Sequence, residues 1–94
     1  MADKLPQNEI DERLKTLENW EQQGDAIHKT FKFSDFNAAF GFMTRCAIKA
    51  DQMDHHPDWS NVYNTVKVNL STHDAGGLTE LDFKLAAFMD RISA

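Results

Sequence analysis

The chain has 94 residues, which allows one domain with a modest core, and its composition of 41% hydrophobic and 11% aromatic residues is that of a folded protein. A formal net charge of −5 without any cluster of Lys and Arg argues against a general binder of nucleic acid or of membrane surfaces. No apolar run approaches a membrane span, and the first residues, MADK, are not typical of a signal peptide. The lone cysteine, Cys46, excludes an internal disulfide and suits a reducing compartment, so we expect a cytoplasmic protein.

The first third of the chain predicts a short helix followed by two strands. Asn8 is the expected N-cap of the helix, because apolar residues follow it at helical spacing. Trp20 opens a short strand, and Gln23-Gly24-Asp25 makes a turn. Residues 26–33 then alternate between apolar and polar side chains, which predicts a strand with one covered face.

A long helix is expected from the cap residue Ser34 to about residue 51. Its apolar positions recur at three and four residues and predict one broad buried stripe, which consists of Phe36, Ala39, Phe40, Met43, Ala47 and Ala50. Phe42 and Cys46 widen this stripe beyond what a lone helix on a sheet needs. The helix cannot continue comfortably through His56, because Pro57 favours an extended conformation in the residue before it.

The last third predicts two more strands and a final helix. Residues 62–70 alternate, with a break near Asn64, although one long bent strand is the alternative. Thr79 and Asp82 form a capping-box pattern at the start of the helix. Its expected buried stripe is Leu81, Leu85, Phe88 and Ile92. The order α-β-β-α-β-β-α predicts a single α+β domain over residues 1–94, with three helices on one face of a four-stranded antiparallel sheet.

The stretch DQMDHHPDW, at residues 51–59, contains the strongest functional signal. Two adjacent histidines, His55 and His56, lie among three carboxylates. Imidazoles titrate near pH ~6.5, and neighbouring carboxylates can orient them, so the stretch is suited to acid–base chemistry. A third imidazole, His73, follows the last strand, and antiparallel strands could return it to the same rim.

The histidines and their neighbours are also compatible with roles outside acid–base chemistry. Three histidines and a carboxylate describe a zinc site as well, although adjacent histidines converge poorly on one ion. The histidines could instead be exposed loop residues that bond to the backbone. Trp20 is either a wall for a flat ligand or a half-buried strand residue, and Asp82 most simply completes the helix cap.

Residues 51–63, DQMDHHPDWSNVY, strongly resemble the signature of the pterin-4a-carbinolamine dehydratases, which are also known as dimerisation cofactors of a homeodomain transcription factor. The similarity extends upstream over FKFSDFNAAFGFMTR at residues 31–45. It continues downstream over LSTHD at residues 70–74, Gly77-Leu78-Thr79 and Asp82. It therefore covers nearly all of the chain beyond the first helix.

The resemblance implies an enzyme that dehydrates 4a-hydroxytetrahydrobiopterin to quinonoid dihydrobiopterin, with no metal and no organic cofactor. It also implies a catalytic set of His55, His56 and His73, in which His56 and His73 move protons and His55 assists. The substrate-binding residues that it implies are Trp20, Asp51, Asp54, Ser71, Thr72, Asp74 and Asp82. Asp51 is a departure, because many members of the family carry glutamate at this position.

The resemblance further implies partners. Members of the family form dimers whose sheets join edge to edge, and tetramers in which helices of two dimers pack. Some also bind the helical dimerisation segment of the transcription factor, so a binding module is the alternative function. We therefore expect a homo-oligomer, dimeric or tetrameric, without direct contact to nucleic acid or membrane. A nuclear fraction would depend on such a partner.

Overall fold

The computed structural model describes residues 2–94, and its elements follow the predicted order. The helices are α1 (Gln7–Leu14), α2 (Phe36–Met53) and α3 (Glu80–Ser93). The strands are β1 (Glu21–Gln23), β2 (Ala26–Lys32), β3 (Asp58–Val62) and β4 (Thr65–Leu70), and a single 3₁₀ turn, His73–Ala75, lies between β4 and α3.

The four strands form one antiparallel sheet in the order β1-β2-β4-β3, which confirms the predicted α+β fold. β2 and β4 are central, and their pairing sets Ile27 opposite Leu70 and Phe31 opposite Val66. All four of these side chains are buried. Because successive residues of a strand point to opposite faces, the pairs His28–Asn69 and Thr30–Lys67 lie on the uncovered face.

The core fills the space between the covered face of the sheet and the helices. Phe42 of α2 is completely buried, and its ring lies 4.8 Å from that of Phe31 and 4.9 Å from that of Phe33 between centroids. Cys46, one turn further along α2, is also completely buried. Burial raises the pKa of the Cys46 thiol to about 12, against a smaller opposite effect of Arg45, so this cysteine is a packing residue and not a nucleophile.

The predicted cap residues of the first two helices were wrong. α1 begins at Gln7, directly after Pro6, whose fixed backbone suits the entry to a helix. The N-cap of α2 is Asp35 and not Ser34, because the Asp35 carboxylate accepts a hydrogen bond from the N–H of Ala38 at 2.8 Å. α2 also ends at Met53, two residues beyond the predicted end.

The single broad stripe predicted for α2 is in fact two apolar faces. Ala39, Phe42, Cys46 and Ala50 are buried, whereas the other face is exposed to solvent in the single chain. We call this second face the outer face of α2; it consists of Phe36, Phe40, Ala47 and Ile48. Phe36 and Phe40 are 48% and 51% exposed, so the sheet does not cover them.

The predicted stripe of α3 is likewise rotated. Leu85 is buried as expected, but Leu81, Phe88 and Ile92 are only half-buried. The buried face is centred instead on Asp82, Phe83, Leu85, Ala86 and Met89. The rotation has a physical cause, since Asp82 is held inward by hydrogen bonds and brings the residues at helical spacing from it towards the core.

A two-residue turn at Tyr63 and Asn64 separates β3 from β4, so the long bent strand is excluded. Tyr63 has the left-handed φ of 51° that such tight hairpins require. Asn64 also links this turn to the residue after β2, because its side-chain amide donates a hydrogen bond to the carbonyl of Phe33 at 3.0 Å.

The N-cap of α2 can be tested with two neighbouring substitutions. Asp35→Ala should lower the free energy of unfolding by about 1 kcal/mol, because the N–H of Ala38 loses its acceptor. Ser34→Ala should change it by less than ~0.5 kcal/mol, since Ser34 is exposed and does not cap the helix. Urea denaturation measures both, and a larger loss for the serine variant would show that the cap is assigned to the wrong residue.

Candidate active site

The candidate site is centred on a buried pair, His55 and Asp82. The Nε2 of His55 lies 2.6 Å from the Oδ1 of Asp82. The His55 side chain is only 8% exposed and that of Asp82 is not exposed at all. Because a carboxylate only accepts hydrogen bonds, Nε2 is the donor, which leaves Nδ1 of the same ring for proton exchange.

The end of α2 places His55. Asp54 adopts a left-handed conformation with φ 51° and ends the helix, and its N–H bonds to carbonyls of the last turn. The N–H of His55 donates to the carbonyl of Ala50 at 3.0 Å. These hydrogen bonds at the C-terminus of α2 supply donors to the last carbonyls of the helix and change the direction of the chain after it. His55 is therefore fixed by its backbone as well as by its ring.

The start of α3 and the end of β4 place Asp82. Its Oδ2 accepts from the Thr72 hydroxyl and from the N–H of Thr79, both at 2.9 Å. The Thr72 hydroxyl gives its only proton to Asp82, so the Thr79 hydroxyl donates to Thr72 at 2.7 Å. The capping box predicted for Thr79 and Asp82 is confirmed. Asp82 has a second task that the capping pattern alone does not show, which is to hold His55.

A cavity of about 380 Å³ opens beside this pair and collects most of the residues that the sequence singles out. His55, His56 and His73 all line it. The other predicted residues among its walls are Asp54, Ser71, Thr72 and Asp74. His55 forms a buried part of the wall, whereas His56 and His73 are exposed. The prediction that antiparallel strands return His73 to the rim of His55 and His56 is thereby confirmed.

Two predicted residues lie just outside the walls. Asp51 is exposed on the last turn of α2, and its Oδ1 is 3.8 Å from the Nε2 of His56. Both side chains are largely exposed, so this contact is weak. Asp82 lies behind His55, and its Oδ1 accepts the hydrogen bond of that ring.

Trp20 is not brought to this cavity. It is buried in the core beside Phe31, and its indole N–H donates to Oδ1 of Asp90 at 2.9 Å. Asp90 lies two turns of α3 away from Asp82, at the other end of the helix. Lys29 shares the same carboxylate at 2.7 Å. In the single chain Trp20 is thus not a wall of this cavity. It is also not the half-buried strand residue that its pattern predicts, because it is buried and β1 begins one residue later, at Glu21.

The sequence did not single out several walls of the cavity, namely Ala2, Met53, Ala75 and Leu81. Met53 and Leu81 are apolar residues at the end of α2 and the start of α3. Helical spacing assigned Leu81 to the core, and Met53 lay beyond the predicted end of α2. The 3₁₀ turn that carries His73 was missed as well. Its signal was available, because Gly76 directly after it has the left-handed φ of 72° that favours glycine.

Two further properties bear on the class of protein. No group of three or more His, Cys, Asp or Glu side chains among residues 2–94 is arranged to hold a metal ion. None of the helices in this same range has both the length and the apolar character needed to cross a membrane.

Comparison with known proteins agrees with this geometry. The family model described as pterin 4 alpha carbinolamine dehydratase matches residues 3–92, so the chain belongs to that family. Two relatives, each named "putative pterin-4-alpha-carbinolamine dehydratase", come from Chelativorans sp. (strain BNC1) and Paraburkholderia xenovorans (strain LB400). The first is 57% identical over 97% of this chain and 95% of its own length. The second is 54% identical over the whole of both chains.

A solved structure from Brucella melitensis is also similar. It is described as a transcriptional coactivator/pterin dehydratase, and it superposes with a TM-score of 0.95 at 45% sequence identity. The superposition covers 98% of this chain and all of the Brucella chain. The fold described above is therefore the fold of the family.

The buried pair predicts a clear difference between two aspartates of the site. Asp82→Ala should lower the free energy of unfolding by about 3 kcal/mol, because it removes three hydrogen bonds and leaves buried polar groups without partners. Asp74→Ala should cost less than ~0.5 kcal/mol, since Asp74 is exposed. Thermal and urea denaturation measure both, and equal losses would contradict the structural role of Asp82.

Proposed function

We propose that the protein dehydrates a 4a-hydroxytetrahydropterin, with biopterin as the expected pterin, to the quinonoid dihydropterin and water. The observation that carries the proposal is the convergence of His55, His56 and His73 on one cavity, in a chain that belongs to the dehydratase family. Membership of the family alone would not show that this chain has the catalytic groups, and the cavity alone would not identify the substrate.

The reaction is a simple elimination, and it needs only proton transfers. The bond between C4a and the hydroxyl oxygen breaks, and a proton delivered to that oxygen lets it leave as water. The proton on N5 is removed, and its electron pair forms the C4a=N5 double bond. One acid and one base on neighbouring sides of the C4a–N5 edge are sufficient, which is the role that imidazoles perform best near neutral pH.

His56 and His73 are the proposed proton-transfer pair. Both are exposed in the cavity and can exchange protons with water between turnovers. His55 is proposed to assist from the buried wall, where its hydrogen bond to Asp82 fixes the ring and directs Nδ1 for use with the substrate. General acid–base groups of this kind contribute about 10²- to 10⁴-fold each.

The remaining residues are proposed to hold the pterin. Asp54, Ser71, Thr72 and Asp74 supply polar groups in the walls, which suits a ring system with many donors and acceptors. Asp51 is proposed to orient His56 rather than to touch the substrate, because it contacts that ring from outside the walls. The reducing compartment that suits buried Cys46 agrees with a cytoplasmic enzyme.

Activity is tested by following the absorbance decay of freshly generated 4a-hydroxytetrahydropterin. The wild type should accelerate the decay, and His56→Ala and His73→Ala should each lose at least about tenfold in rate, because a proton-transfer group is removed. The matched control is His28→Ala. That imidazole lies on the sheet and bonds to Asn69, away from the cavity, so the variant should retain the wild-type rate. A wild type no faster than buffer would refute the enzyme.

The alternative function is a binding module that stabilises dimers of a homeodomain transcription factor. Two observations favour it as a second candidate. The similar Brucella chain is described as a transcriptional coactivator as well as a dehydratase. The outer face of α2 is also apolar and exposed in the single chain, with Ile48 57% exposed. Phe42 and Cys46, which widen the apolar stripe of this helix in the sequence, are buried and cannot take part.

The outer face of α2 is proposed first as a contact between copies of the chain, since exposed apolar patches on small proteins favour association. Wild type should be a tetramer by size-exclusion chromatography with light scattering. Phe40→Asp should reduce it to a dimer, because it places a charge in the helix contact and leaves the sheet edges intact. Thr30→Asp, on the exposed face of the sheet, is the matched control and should stay tetrameric. A wild type that is only monomeric would overturn the oligomer.

A further inference from the structure

A second cavity lies between α2 and α3, next to the candidate active site. Its volume is about 480 Å³, and we call it the cationic groove. It is lined by Lys49, Met53, Leu81, Lys84, Ala87, Phe88 and Arg91. Nothing in the dehydration described above uses its charged residues.

The cationic groove adjoins the histidine cavity. Met53 and Leu81 line both, so the two spaces share these apolar walls. A ligand seated against the histidines would therefore reach the groove by passing Met53 and Leu81.

The charge of the groove is unusual for this chain. Three of its ten Lys and Arg residues line this one cavity, although the net charge of the chain is −5. Among residues 2–94, neither Lys49 nor Arg91 has a carboxylate within 4.0 Å. Lys84 has only Glu80, at 4.0 Å and largely exposed. The positive charges of the groove are thus only weakly neutralised by carboxylates of the protein itself.

Phe88 organises these cations around an apolar centre. The Nζ of Lys49 lies 5.6 Å from the centroid of its ring, and the Cζ of Arg91 lies 5.3 Å from it. Cation–π contacts of this length keep both charged groups beside the groove. A site with an apolar floor and cations around it suits a ligand that has an organic spacer and a terminal anion.

We propose that the cationic groove binds an anionic substituent on C6 of the pterin, so that the preferred substrates are pterins with a carboxylate or phosphate side chain. This inference rests on the proposed dehydration. C6 is bonded to N5, so a substituent there leaves the ring beside the reacting C4a–N5 edge, at the end where the histidines lie. The dihydroxypropyl side chain of biopterin carries no charge and would leave Lys49, Lys84 and Arg91 without a partner.

The test is equilibrium binding of stable oxidised pterins, measured by fluorescence quenching at low salt. Biopterin is the neutral probe, pteroylglutamate carries carboxylates, and neopterin triphosphate carries phosphates. The wild type should bind at least one charged probe about tenfold or more tighter than biopterin, because charge-assisted hydrogen bonds replace solvent contacts. Whichever charged probe gains identifies carboxylate or phosphate as the source of the anion.

Variants then test whether the groove causes the tighter binding of the charged probe. Lys84→Gln and Arg91→Gln should each reduce the ratio of charged-probe affinity to biopterin affinity by at least about fivefold, since one cationic partner is removed. Lys67→Gln is the matched control. Lys67 is exposed on β4 and changes the net charge equally, so this variant should keep the wild-type ratio.

The outcomes separate this inference from the proposed function. If biopterin binds but neither charged probe binds tighter, the anionic substrate is wrong and the dehydratase stands. If Lys67→Gln reduces the ratio as much as Lys84→Gln, only the net charge of the protein is responsible and the groove is not a site. If no pterin binds at all, the proposed function fails together with the inference that depends on it.

Discussion

The hydrogen bond between His55 and Asp82 is the constraint on which the site depends. It joins three segments that are far apart in the chain, because His55 follows α2, Asp82 begins α3, and Thr72 after β4 bonds to the same carboxylate. An ionised carboxylate without solvent contact is very unfavourable unless its oxygens accept hydrogen bonds. Asp82 receives three, so the network is stable only when all three segments are in place.

The sheet brings these segments together. β3 and β4 are antiparallel neighbours, and Asp58 pairs with Asn69. The residues before β3 and the residues after β4 therefore emerge at the same end of the sheet, which places His55 and His56 beside His73. The tight turn at Tyr63 and Asn64 fixes this register. Strand pairing thus places two parts of the site, namely His55 with His56 and the segment that carries His73. The N-terminal cap of α3 places the third part, Asp82.

Much of the fold could be predicted from local patterns. The alternation of residues 26–33 predicted β2, the second part of the stretch 62–70 predicted β4, and the spacing of apolar residues predicted α2 and α3. The placement of β3 was wrong, because this strand runs over Asp58–Val62, ahead of the alternating stretch from which it was predicted. The exact faces of the helices could not be predicted, because apolar residues lie on both sides of α2 and spacing does not distinguish the core from an outer face. In α3 the inward position of a charged residue, Asp82, rotated the buried face.

The site was predictable in a similar way. The adjacent histidines and the capping box are local signals, and the order of the strands already brought His73 to the same rim. The resemblance added the catalytic roles of the three histidines. The buried bond between His55 and Asp82 spans 27 positions of sequence, and no local pattern indicates it. Trp20 shows a limit of the resemblance, which assigned this residue to the substrate. In the structure it lies in the core, where its indole bonds to Asp90. The cationic groove was missed because its three cations come from two helices and form no charge cluster in the sequence.

Asp82 is proposed to serve catalysis through His55. The most direct measurement is a double-mutant cycle on kcat/KM for the dehydration, with His55→Ala, Asp82→Asn and the combined variant, each checked to be folded. If Asp82 acts by holding His55, each single variant loses activity and the combined variant is about as active as His55→Ala alone. Independent losses that multiply in the combined variant would contradict the account.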